Sequence, residues 1–519
     1  MGIPAYFSYL IKNYNSIISN LNKLDKEVCH FYLDSNSIIY DALHSVEFNN
    51  NNYEEQVIKY TCEKIEYYIQ QIKPTKSVFI AFDGVAPVAK LEQQRTRRYK
   101  SQFTDKINKE IIPDYKKTFD RCAITPGTNF MSKLCISIKN HFSKPSKFKV
   151  NKIHTSCSDE PGEGEHKIFE YIRNNPNNET SIVYGLDADL IMLTLNHLKF
   201  NPNLFLFRET PEFIRSIDRS LNPNELYFLN IPKMKNIVEN NFSSNSSNND
   251  SCCNYIFLCF FLGNDFLPHF PALNIRTNGI KNLNSTYVDV IKDNDLIEDN
   301  KLNWNAIKKF IYNLSIKEEE YIIDEYNTRS KLKNKRFNPE DEKYLEERFN
   351  NLPILDMKTE KYIDPYNPNW QHRYYDKLFD IEYDNELIKN ICINYLEGLE
   401  WTFKYYNSGC PDWRWYYKYN YPPLLEDLVK YIPSFNTTLI ENKKFDPIHE
   451  YTQLSYVLPK NSLNLLPKKI HKFLLNNYDH LYGEDFKIVW HFCRYFWESH
   501  VELPHIDIDK LNMSIKSQL

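Results

Sequence analysis

The sequence predicts an α/β protein: a mostly parallel central sheet with helices on both faces, followed by a largely helical, aromatic-rich region. Three observations carry this. Short runs of β-branched and aromatic residues each end in an acid; helix-like segments separate them; and beyond a charged stretch at 315–360 the chain becomes markedly aromatic.

The strand candidates are "VCHFYLD", ending at Asp34, "SVFIAFD", ending at Asp83, and "SIVYGLDAD", ending at Asp187 and Asp189. Helical patterns fall at 53–72, 90–109 and 163–174. Strands alternating with helices form parallel sheets, and ligands bind outside the carboxyl ends of such strands. The three terminal acids are therefore expected along one edge of the sheet. "EFNNNNYEEQ" and "VENNFSSNSSNNDSCC" read as polar surface loops. The expected division is 1–314, a charged helical linker at 315–360, and 361–519.

Composition narrows the function classes. Hydrophobic residues make up 42% and charged residues 25%, ordinary for a globular chain. The 38 Tyr and 33 Phe fit codon bias of an A+T-rich genome. Eleven scattered Cys without a C-x-x-C pair indicate reduced, intracellular thiols and argue against a zinc ribbon. "MGIPAYFSYLIK" lacks a signal-peptide pattern, and Tyr6 breaks the myristoylation pattern. The run "YIFLCFFLG" is too short to span a bilayer. A soluble intracellular monomer with no membrane association is expected; nucleus and cytoplasm are not separated. With a net charge of −4, any nucleic-acid binding has to be local.

Seven acids form the candidate catalytic and metal-binding set: Asp34, Asp83, Glu163, Glu165, Asp187, Asp189 and Asp265. In extended backbone, residues i and i+2 point the same way, so Asp187 and Asp189 are expected to share a target. Pro161 and Gly162 suit a helix start at Glu163, where the dipole favours an acid. So many carboxylates in one cleft repel one another, and hard divalent cations are the natural compensation. Two ions, Mg²⁺ or Mn²⁺, suit phosphodiester hydrolysis. The competing reading of each single strand-end Asp is a helix N-cap.

"FDGVAPVAKLEQQRTRRYKS" supplies the opposite charge. On a helix over 89–100, Lys90, Gln94, Arg97 and Arg98 fall within an arc of roughly 100°, with Arg95 to one side and a surface role expected for it. Pro87 suits the turn into that helix. Beside metals that cut a phosphodiester, such a face is suited to hold a terminal phosphate; on its own it would read as a solvated surface.

These segments, with "MGIPAYFSYL", "ITPGTNFM", "SDEPGEGEHKIFEYIR", "FLGNDFLPHFPALNI" and "GLEWTFKYYNSGCPDWRWYYKYNYPP", resemble the Xrn family of 5′→3′ exoribonucleases, in the family's order. The resemblance implies a PIN/flap-nuclease-like catalytic core and processive removal of nucleotides from single-stranded RNA bearing a 5′ monophosphate. It implies that the seven acids hold metal and that Lys90, Gln94, Arg97 and Arg98 form the phosphate pocket; Pro87 is expected among the substrate-binding residues. It further implies that residues 361–519 complete that pocket. Tyr40 stands where family members commonly carry a base-stacking His, and can stack without charge. The second stacking ring is Trp413 or Trp415; either could instead be core. Ser37 replaces the usual Gly. A flap-endonuclease reading lacks its Gly-rich helix-hairpin-helix after Asp265, and a non-catalytic RNA-end binder has no need of seven acids.

Overall fold

The computed structural model describes residues 2–3, 5–48, 52–112, 119–209, 214–222, 225–242, 251–290, 295–443 and 446–519. Parts of both polar stretches expected to be loops, 49–51 and 243–250, lie outside the described residues.

Seven strands form the main sheet: β1 (Ile18–Asn20), β2 (His30–Asp34), β3 (Ser77–Ala81), β4 (Lys152–Ser156), β5 (Ser181–Tyr184), β6 (Leu204–Glu209) and β7 (Leu226–Leu229), in the order β1-β7-β6-β5-β2-β3-β4. Strands β2 to β6 run parallel, β7 runs against β6, and β1 runs against β7. The chain leaves β2 through β3 to β4, then returns to β5 on the other side of β2. That reversal opens a crevice beyond the carboxyl ends of β2 and β5.

Alternation along the strands explains why both faces are covered. Tyr32, Phe79 and Val183 join one core, with helices α1 (Tyr6–Asn13), α6 (Gly164–Asn174) and α7 (Asp189–Asn196). Phe31, Leu33, Val78, Ile80, Ile182 and Tyr184 join the other, with α2 (Asn36–Ser45), α3 (Tyr53–Ile72) and α5 (Asn129–His141). The expected basic helix is α4, Val88–Ile111, whose first turn packs into a third cluster built from residues 448–515. The rest of the chain is mainly helical, led by Asn385–Ser408, which lies in the first core.

The charged stretch is more deeply built in than a solvated linker. Its helix Glu318–Leu332 buries Glu318, Glu325 and Arg329. The Arg329 guanidinium pairs with Glu360 at 2.8 Å and donates to the carbonyls of Cys493 and Pro353. Like charges in sequence gave no sign of these partners, which lie tens of residues away. Among the described residues no helix is long and apolar enough to cross a membrane.

Candidate active site

The crevice gathers its residues by short-range constraints. Asp34 ends β2 in register with Ala81, and Asp83 follows two residues beyond β3. The loop after β3 is zipped to the loop before α6: Gly84 N–H donates to Gly162 at 2.8 Å, and Gly162 N–H donates to Val85 at 2.8 Å. A Cβ on Gly84 would fall 1.7 Å from the Glu160 carbonyl oxygen, so only glycine lets these loops close. Lys167 ties the same loops by donating to the carbonyls of Phe82 and Cys157. Asp83 and Glu163 are thereby held side by side.

At the start of α6 the Gly164 N–H donates to Asp83 Oδ1 at 2.7 Å, and a Cβ there would lie 2.7 Å from Asp34 Oδ1. Asp83 thus does satisfy a helix end, but that of α6 rather than of the helix following its own strand. Asn36 donates to Asp83 Oδ2 and accepts from the Asp83 N–H at 3.2 Å. Tyr405, from the helix Asn385–Ser408, donates to Glu163 Oε1 at 2.7 Å. Asp265, in the loop after the helix Ser251–Phe260, accepts from the Gly2 N–H at 3.1 Å.

Lys90 stands among the acids. Its Nζ is 2.6 Å from both Glu163 Oε2 and Asp265 Oδ2. Burial disfavours its charge, but Asp265 and Glu163 hold the ammonium protonated, well above its ordinary range. Against the upward push of its own burial, Asp265 is held well below the usual carboxylate range by Lys90 and the Gly2 N–H. Asp34, Glu165 and Asp189 go the opposite way. Burial, then repulsion from Asp83 and Asp187, pushes Asp34 well above its ordinary value; burial raises Glu165 against the pull of Lys90. Asp189 is pushed up to about 7 by burial and by Asp265.

Three carboxylate oxygens, Asp34 Oδ1, Glu165 Oε2 and Asp189 Oδ1, are buried without a hydrogen-bond partner. Buried acceptors left unsatisfied are costly, and hard cations are what a cluster of carboxylate oxygens accommodates. The donor set therefore fits divalent metal. A separate group, Cys135, Cys157 and Asp159, brings its ligand atoms within 4.8 Å of one another. There burial raises both thiols and Lys139 holds Asp159 at 2.6 Å, so the group is already internally bonded.

A cavity of about 220 Å³ is lined by Asp34, Asp83, Glu163, Glu165 and Asp187 on one side. Lys90, Gln94, Arg97, Arg98 and Tyr40 line it too, so the acidic edge and the basic helix face meet in one space. Arg98 donates to Thr125 Oγ1 at 2.6 Å and to Gln94 Oε1 at 3.3 Å. Arg97 is exposed, and among the described residues neither arginine has an acidic partner. Pro87 lies buried at the N-cap of α4, outside the cavity lining, and acts through its carbonyl, which accepts from Lys90 and Leu91.

Several expectations are corrected. Asp187 and Asp189 do not share an extended strand: β5 stops at Tyr184, Ala188 is helical, and Asp189 opens α7, buried below the cavity rather than lining it. Arg95 is 3% exposed; it donates to the Pro504 carbonyl at 2.9 Å and sits over the Tyr456 ring, so it is no surface residue. Trp415 is core, stacked on Trp401 with centroids 5.3 Å apart. Trp413 is half-buried, and its carbonyl accepts from Val88 N–H at the start of α4. Neither Trp lines the cavity. Asn36, Thr125, Gly164 and Tyr405 escaped the reading of the sequence. Only Asn36, two residues after a strand-end Asp, carried a local signal.

Comparison with known proteins gives the chain a family. Residues 1–210 match the family profile "XRN 5'-3' exonuclease N-terminus", and 249–362 with 357–518 match "Xrn1 helical domain". The chain belongs to the Xrn family. Over its full length this Xrn chain is 28% identical to 5'-3' exoribonuclease 1 of Schizosaccharomyces pombe, covering 48% of that protein. It is 29% identical to 5'-3' exoribonuclease 1 of Homo sapiens over 98% of the chain, covering 34% of the relative. With the 5'-3' exoribonuclease 2 homolog of Drosophila melanogaster it shares 26% identity over 98% of the chain and 70% of the relative. The chain thus spans about half or less of the first curated relatives it matches.

Proposed function

We propose that this Xrn chain is a processive 5′→3′ exoribonuclease that degrades 5′-monophosphorylated single-stranded RNA to nucleoside 5′-monophosphates, acting in RNA degradation or processing. One observation carries the reading: a single cavity joins orphaned carboxylate oxygens to two guanidinium groups that, among the described residues, lack acidic partners. Acids that want cations and cations that want an anion, a side chain apart, match a scissile phosphodiester next to a terminal phosphate.

Asp34, Asp83, Glu163, Glu165, Asp187, Asp189 and Asp265 would hold Mg²⁺ or Mn²⁺, two ions in this reading. When bound, such ions supply an activated water and positive charge for the leaving oxygen. The protein's own groups position the strand. Arg97 and Arg98 take the 5′ phosphate; Thr125 and Gln94 fix the Arg98 fork before it arrives, so little ordering is lost on binding. Tyr40 offers its ring to the first base. At about 220 Å³ the cavity is smaller than usual small-molecule sites of roughly 300–1,000 Å³. That favours a monophosphate over a triphosphate or a cap. Each cut leaves a new 5′ monophosphate, which makes the product end the next substrate end. Residues 361–519 complete the pocket from behind, through Tyr405 on Glu163 and Trp413 on the start of α4.

The test compares RNAs ending in 5′ monophosphate, hydroxyl or triphosphate, with Mg²⁺ or with EDTA. Degradation of the monophosphate alone, and only with metal, is expected. Equal degradation of all three, or none of the first, overturns the reading.

A further inference from the structure

Helix α4 presents a second stripe beside the one facing the acids. Ala89, Gln93, Thr96 and Lys100, spaced four, three and four apart, line a separate cavity of about 610 Å³. Its other walls come from the loop 262–276, from 416–421 and from 491–505. The larger cavity adjoins the catalytic one. Arg97 lines both cavities, and Asp265, on the wall of the larger one, is joined through Lys90 to Glu163 on the wall of the smaller.

The larger cavity is built for a polar guest. Ser499, 1% exposed, has an unpartnered Oγ, and the Asn264 Nδ2 and His269 Nε2 atoms are likewise buried and unbonded. All three residues line it. Two separate segments leaving three buried polar atoms unsatisfied beside one space is unusual, because native proteins pair nearly all such atoms. Burial pushes His269 down to about 4, so its ring is neutral at neutral pH and suited to a hydrogen bond with a base edge. Lys100 donates to the carbonyls of Trp497 and Ser499; among the described residues it faces no carboxylate within ion-pair distance, and Arg97 makes no hydrogen bond or ion pair. Tyr416, Tyr419 and Trp497 add flat apolar surface.

We propose that this cavity is a mononucleotide site, taking a nucleoside 5′-monophosphate with its base against the aromatic wall, His269 and Asn264, and its phosphate toward Arg97 and Lys100. The proposal rests on the exoribonuclease reading for its natural occupant, the released product, which would pass the shared Arg97. Binding itself does not depend on hydrolysis.

The experiment is calorimetric titration of the whole chain in EDTA, without RNA, using AMP, adenosine, inorganic phosphate and a 5′-phosphorylated trinucleotide. Saturable AMP binding is expected, with adenosine and phosphate each at least tenfold weaker. His269→Leu and Trp497→Ala should weaken AMP at least tenfold at unchanged Tm, while His269→Gln retains most of the affinity and the His269-dependent binding persists in Arg98→Ala. No saturable binding means that water alone fills the cavity and overturns the proposal. Loss of binding in Arg98→Ala with none in His269→Leu places AMP in the catalytic cavity and also overturns it. A trinucleotide that outbinds AMP in Arg98→Ala makes the cavity part of an RNA path and does the same. Failure to degrade RNA, with AMP binding intact, would instead remove the exoribonuclease reading alone.

Discussion

Lys90 and Asp187 mark two kinds of residue in the site. Lys90 has its charge fully matched by Glu163 and Asp265, whereas Asp187 lines the open cavity beside the unsatisfied Asp34 oxygen. Asp187→Asn removes a charge from the acidic wall of the cavity without touching Arg97 or Arg98. Hydrolysis should fall by three orders of magnitude or more, while binding of 5′-phosphorylated RNA, measured by fluorescence anisotropy, changes less than about threefold. Arg98→Ala should act in reverse. A hydrogen bond to a charged group contributes about 1.5–3 kcal/mol, so the monophosphate-over-hydroxyl preference should drop at least tenfold. Parallel initial-rate measurements on the two RNAs check it. Asp34, Asp83 and Asp187 were legible in the sequence because each follows a β-branched run, and Glu163 because Pro161 and Gly162 mark a helix start. The place of Lys90 among them was not, since helical periodicity gives a direction but not what stands opposite.

Among the elements, the helix Glu318–Leu332 holds more than its charge pattern suggests. Arg329→Ala would strand Glu360 in the interior, a change that typically costs about 3–5 kcal/mol. Chemical denaturation should report a loss of that size, with RNA-end preference unaltered. The same helix carries a titration. Glu318 accepts from the Leu425 and Glu426 N–H groups at 2.8 and 3.0 Å, yet burial outweighs them and raises it to about 8. A carboxyl raised in the folded state keeps its proton there while the unfolded chain releases it, so stability is full below the ordinary value and falls as pH rises toward 8. The midpoint of thermal unfolding should decline between about pH 5 and pH 8, and Glu318→Gln should flatten that slope. A profile that Glu318→Gln leaves unchanged would place the titration elsewhere. Long-range partners are why this segment read as a linker: Glu318 answers to residue 425, and Arg329 to residues 353, 360 and 493.

At the scale of the molecule, the parallel sheet and its acidic edge followed from strand–helix alternation, since each strand needs a crossover long enough to return. The order of the strands did not, because pairing partners leave little local trace; β1 and β7 in particular carry only three and four residues. The boundary expected near 315 also meets a different arrangement, for one apolar core runs from Ile3 through Leu428 to Phe492. Residues 1–314 expressed alone should therefore lack a cooperative unfolding transition by calorimetry, and should recover one in the presence of 315–519.

The chemistry depends on parts that leave the ribosome far apart in time. Asp34 emerges early, Asp265 much later, and Tyr405 and Trp413, which brace Glu163 and the start of α4, later still. Chains fold largely in the order in which they are made. A nascent copy thus carries acids before it carries the braces that set them, and a site assembled in this order stays unfinished while the chain is still tethered to its own messenger.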